Sequence, residues 1–154
     1  MNWVIRKSNK ILYHTHLNEI LEPIIDEVKN YNWILADIEH GGSLVELPIN
    51  MDEEYCILTP DKFDVILKAD VQFYWGVILG IPANKNITID ENNIPFAEGN
   101  EFIWKNDNIQ YPDAEIEIVC FDSGYTIVKF KSEPLSNQFR AYFPEAIELE
   151  KLLD

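Results

Sequence analysis

The sequence is short of positive charge. Twelve Lys and Arg stand against twenty-seven Asp and Glu, a formal net charge of −15. A chain so charged repels phosphate backbones and anionic lipid, so direct nucleic-acid or membrane-surface binding is not expected. Cysteine is nearly absent. The two present, Cys56 and Cys120, sit in apolar runs and make no disulfide framework, which suits a reducing cytoplasm. No apolar run approaches the roughly 18–20 residues needed to span a bilayer. The opening MNWVIRKSNK has no apolar segment after its basic residues, so no signal peptide is expected. Also missing are a Gly/Ser linker, an internal repeat, a G-x-S-x-G elbow at Ser43, a G-x-G-x-x-G turn and a phosphate-binding loop. No cofactor is expected, and no catalytic residue is assigned.

What is present is a hydrophobic chain of 154 residues, 47% apolar and 12% aromatic. It is long enough for one domain, residues 1–154, with a core of its own. The strongest local signal is a β-hairpin over 115–131, EIEIVCFDSGYTIVKFK. A three-residue loop at Asp122-Ser123-Gly124, with φ > 0 expected at Gly124, pairs Phe121 with Tyr125 and fixes the register outward. One face then carries Ile116–Phe130, Ile118–Val128 and Cys120–Thr126. The other carries Val119–Ile127, followed by Glu117–Lys129 and Glu115–Lys131, opposite charge meeting opposite charge.

Around the hairpin, alternation and turn residues predict strands at Trp3–Arg6, Lys10–His14, Trp33–Asp37, Ser43–Leu47, Tyr55–Leu58, Val71–Gly80, Ile87–Asp90 and Glu101–Trp104. Gly76 within the most apolar run marks a bulge or a close backbone approach. A helix is predicted from Leu17 to Val28, capped by Thr15 and either kinked at Pro23 or starting beside it. Others follow Thr59-Pro60 and Ser132, and Pro144–Leu153 reads as a terminal helix or short strand. Strands often adjacent in sequence, mixed with three to four helices, define an α+β fold on a mostly antiparallel sheet.

Three functional readings stay open. Negative charge comes in blocks: from Asn30 to Asp61 there is no base, while Asp37, Glu39, Glu46, Asp52, Glu53, Glu54 and Asp61 are acidic. From Asn106 to Val128 the acids include Asp107 and Asp113, again without a base. Tyr31, Trp33, Tyr55, Trp104 and Tyr111 lie near these blocks as possible aromatic anchors. Such a face suits a small inhibitor of a basic protein, such as an immunity protein or antitoxin guarding against a toxin, or a nucleic-acid mimic. The acidic composition is also simply common among soluble bacterial proteins. In the second reading, His14, His16, Asp37 and His40 hold a metal in an enzyme or small-ligand binder. In the third, the chain is a subunit of a larger assembly, with VQFYWGVILG covered by another chain. Glu115 and Glu117, about 6.7 Å apart along a strand, have the spacing of a hydrolytic carboxylate pair, but their Lys partners make them structural. Nothing in the sequence fixes the oligomeric state.

Overall fold

A computed structural model describes residues 1–152. The strands are β1 (Asn2–Ile5), β2 (Tyr31–His40), β3 (Tyr55–Leu58), β4 (Phe73–Pro82), β5 (Ile116–Phe121), β6 (Tyr125–Phe130) and β7 (Ile147–Glu148). The α-helices are α1 (Leu17–Leu21), α2 (Pro60–Lys68), α3 (Glu133–Tyr142) and α4 (Leu149–Leu152), with 3-10 segments at Glu22–Asn30 and Glu101–Trp104. All strands join one antiparallel sheet in the order β3-β2-β4-β5-β6-β1-β7. The α+β expectation holds.

Both faces of the sheet are apolar, and they are covered differently. Trp33, Leu35, Ile78, Ile116, Ile118, Val128 and Phe130 face α1, α2, α3 and the Glu22–Asn30 segment. Trp33 stacks on Phe63 of α2 at 4.2 Å, which places it and Tyr31 in the core instead of on a recognition surface. On the other face, Ile34, Val77, Leu79, Val119 and Ile127 lie beneath Ala97, Ile103 and Ala114 of the long connection between β4 and β5, and beneath Leu149 of α4. The apolar run centred on β4 is therefore covered by its own chain. Val77, Ile78 and Leu79 are completely buried.

The cover explains why several predicted strands do not form. Ile87, Ile89 and Ile103 alternate or recur as strand residues would, but each packs down onto a sheet face instead of extending an edge. At Glu101–Trp104 the Asn100 side chain accepts a hydrogen bond from the Phe102 N–H and starts a 3-10 turn. Lys10–His14 is irregular because both edges of β1 are taken, by β6 and β7. Ser43–Leu47 likewise finds β2 already flanked by β3 and β4, and its Leu44 is fully exposed.

The predicted Leu17–Val28 helix is broken, with non-helical φ/ψ at Ile24 just after Pro23. Thr15 does not cap α1. It is buried in the left-handed region at φ 61°, its hydroxyl bonded to the Phe73 carbonyl, and His16 takes the cap position. Thr59 and Ser132 cap α2 and α3 as expected. Pro144–Leu153 resolves into both alternatives, β7 followed by α4, with Leu153 outside the described residues.

The hairpin register is the expected one, residue for residue from Ile116–Phe130 to Phe121–Tyr125. Its turn differs. Positive φ falls at Asp122 (47°) and Ser123 (54°), not at Gly124, and Gly124 N–H closes on Phe121 O at 2.9 Å. That is the primed geometry whose twist suits a hairpin.

Glu117 and Lys129 are opposed as expected, and both are completely buried. Lys129 Nζ lies 3.6 Å from Glu117 Oε1 and donates to the carbonyls of Lys105 (3.0 Å) and Asn108 (2.8 Å). Glu117 Oε2 accepts from Gln110 N–H at 2.8 Å. Burial raises the Glu117 carboxyl pKa and lowers that of the Lys129 ammonium, while each partner pulls the other back toward its charged form. The pair thus supplies backbone partners to a chain segment that has no ladder of its own. Lys129→Met should cost about 3–5 kcal/mol, because it leaves a buried carboxylate and two carbonyls unpaired. A urea titration should show the midpoint falling with an unchanged slope.

Candidate functional site

The first acidic block gathers at the β2–β3 edge. The β2–β4 register shifts between Ala36 and Glu39, so Asp37 and Ile38 bulge, with Asp37 at φ 54°. Gly76 supplies the close approach opposite: a Cβ there would stand 2.5 Å from Ile38 Cδ1, at a backbone φ of 154°. The bulge turns Asp37 toward the cover, where Oδ2 accepts from Ala97 N–H (2.8 Å) and Glu98 N–H (3.1 Å).

Asp37 then forms one wall of a cleft of about 370 Å³ with Ile38, Glu53, Glu54, Ile94, Pro95 and Phe96. Beside it, Tyr55 Oη donates to Glu91 Oε1 at 2.8 Å, joining β3 to the cover. That hydrogen bond raises the Tyr55 pKa. Among the described residues, Glu53, Glu54 and Glu91 have no ion-pair partner. Phe96 is 45% exposed at the cleft mouth. Glu39, Glu46 and Asp52 are exposed nearby in sequence, the last two in the loop that also exposes Leu44, Val45 and Met51.

The second block does not join the first. Asp107 is tied to Asn2 by two hydrogen bonds of 3.1 Å and adds its charge to the field at Lys129, across the sheet at β6–β1. Tyr111 is a half-buried part of the cover, its hydroxyl accepting from Thr88 N–H at 3.0 Å. Asp113 is exposed just before β5. Glu115 accepts from Tyr31 Oη at 2.9 Å while Lys131 Nζ turns to the Pro112 carbonyl, so the expected Glu115–Lys131 ion pair is replaced. Trp104 is half-buried against Phe121 and Tyr125.

The histidines each have their own neighbours. His14 Nε2 meets the Arg6 carbonyl, and His40 Nδ1 meets Gly41 O with its ring edge-on to Phe73. His16, nearly buried, lies 3.0 Å from Asp70 and 3.4 Å from Glu19. No group of three or more His, Cys, Asp or Glu among the described residues is placed to hold a metal ion. No helix among those residues is long and apolar enough to cross a membrane.

Glu91 and Phe96 are the site residues that the sequence did not signal. They come from the turn-rich ENNIPFAEGN, and only the folding of that segment against β2 and β3 brings them beside the block at 53–55. Comparison with protein-family models, curated proteins and solved structures finds no match to the chain.

Two predictions follow from this geometry. Asp37→Ala strands two backbone donors and should lower stability by about 1–3 kcal/mol, measured as a shift in the urea midpoint. Burial also pushes the Cys120 thiol up to about 12 and raises Cys56. At pH 8, a thiol of pKa near 12 is only about one part in ten thousand thiolate. Native protein should therefore react with a disulfide reagent at least about a hundredfold slower at Cys120 than urea-unfolded protein, followed by mass spectrometry of the labelled peptide.

Proposed function

We propose that the chain is a small acidic cytoplasmic binding protein that captures and neutralises a basic protein, in the manner of an immunity protein or antitoxin. The surface assigned to this role is Glu53, Glu54, Tyr55, Glu91 and Phe96, with the exposed Glu39, Glu46 and Asp52 nearby in sequence. The observation that carries the reading is the cleft. Its walls hold three carboxylates and no base, and its mouth carries an exposed aromatic ring. Glu53 and Glu54, which no local donor holds, would speed the encounter with a basic surface, and a ring beside them adds contact that slows release. Asp37, Asp107 and Tyr111, named with this surface from the sequence, are left out of it because each hydrogen-bonds within the fold, and Asp113 because it lies apart, just before β5.

A native pull-down at low salt should recover a basic protein that moderate salt releases, as screening of surface charge requires. Failure to recover any basic protein at low salt would contradict the reading. With the recovered partner, the double variant Glu53→Lys/Glu54→Lys should lose roughly ten- to a hundredfold in affinity and show a flatter salt dependence. Asp113→Lys should change little. Titration calorimetry at two salt concentrations distinguishes the two sites.

A further inference from the structure

We infer that β3 is a docking edge, to which a basic partner adds an extended strand beside the acidic cleft. The inference rests on the binding reading above and specifies how the partner is held.

β3 is the last strand of the sheet, and among the described residues no strand pairs with its outer side. Asp37 N–H donates to Glu54 O at 3.2 Å, which makes Asp37–Glu54, Leu35–Cys56 and Trp33–Leu58 the hydrogen-bonded pairs across β2 and β3. Alternation along an antiparallel ladder then points the N–H and C=O groups of Tyr55 and Ile57 outward. The parity agrees on the other side of β2, where Ala83 N–H donates to Asn30 O.

Exposed edges are ordinarily blunted by short strand length, Lys, proline, bulges or a covering element. The opposite edge obeys this: β7 is two residues long and runs straight into α4. β3 is four residues long and holds no Lys, proline or bulge within it. Its sequence is Tyr-Cys-Ile-Leu, and Ile57 is 44% exposed. Asp52, Glu53 and Glu54 precede it, and Asp61 follows.

That charge decides the occupant. Two copies of this chain would bring like acidic flanks together across the edge, each on a molecule of charge −15. An incoming strand with Lys or Arg at alternate positions would gain both ladder hydrogen bonds and Coulomb attraction. Tyr55 and Ile57 share one face of β3, so side chains on that face of the added strand would lie next to the Tyr55–Glu91 pair. Strand addition draws affinity from backbone bonds and specificity from alternate side chains.

The test uses the intact protein and two peptides of equal charge, Lys-Val-Lys-Val-Lys-Val-Lys and Lys-Pro-Lys-Pro-Lys-Pro-Lys. The second lacks half the backbone donors and favours a polyproline conformation. The valine peptide should bind at least about tenfold more tightly and slow amide exchange at Tyr55 and Ile57 by at least about tenfold. Ile57→Pro removes an outward donor that β2 does not use, and should bring valine-peptide affinity down to that of the proline peptide. Unchanged exchange at Tyr55 and Ile57, or equal affinity for the two peptides, overturns the docking edge. Salt-sensitive binding of both peptides would leave the acidic-surface reading standing, whereas binding of neither at low salt defeats both. Concentration-dependent dimerisation that protects the same amides without peptide assigns the edge to a second copy and overturns the basic-strand proposal.

Discussion

The structure depends on a sheet that is apolar on both faces when its longer helices cover only one of them. The other face is closed by a connection with little regular structure, and a buried backbone without a ladder needs partners from elsewhere. Lys129 and Glu117 provide them. Their opposition across β5 and β6 places a cation under the Lys105 and Asn108 carbonyls and an anion under the Gln110 N–H. Asp37 does the same for Ala97 and Glu98 at the far side. Three charged side chains thus act as pins for one irregular layer.

This division of labour sorts the charge of an acidic chain into two kinds. Asp37, Asp107, Glu115 and Glu117 answer backbone or side-chain donors, so part of their charge is already satisfied within the fold. Glu53 and Glu54 do not have that constraint, and Glu91 answers the Tyr55 hydroxyl beside them. Tyr55 and Phe96 stand beside them, and the unpaired edge of β3 runs past them. The proposed recognition surface is therefore smaller than a charge count suggests. It lies on one edge of the sheet.

What could be read from the sequence followed the range of the interactions. The hairpin register was legible because it needs only a turn and two alternating segments. The caps at Thr59 and Ser132 were legible for the same reason. Alternation in Ile87–Asp90 misled because a segment lying across a sheet face needs apolar side chains facing down, much as a strand does. The charges at Glu117 and Lys129 were matched to each other correctly, but their burial was not legible, since the layer above them is formed by residues 7 to 24 positions earlier in the chain. The gathering of Asp37, Glu53 and Glu54 was half visible as a block without bases. Glu91 and Phe96 carried no local sign, because their position is set by tertiary folding alone.

The central claim is that the irregular layer is pinned as firmly as the strands beneath it. Native-state hydrogen exchange measures this directly, since amides released only by large-scale unfolding exchange with a free energy close to that of the whole domain. The account predicts that Ala97, Glu98 and Gln110, all outside regular secondary structure, exchange as slowly as the interior amides of β5. Exchange of those three at rates near those of an unstructured peptide, with β5 still protected, would contradict it.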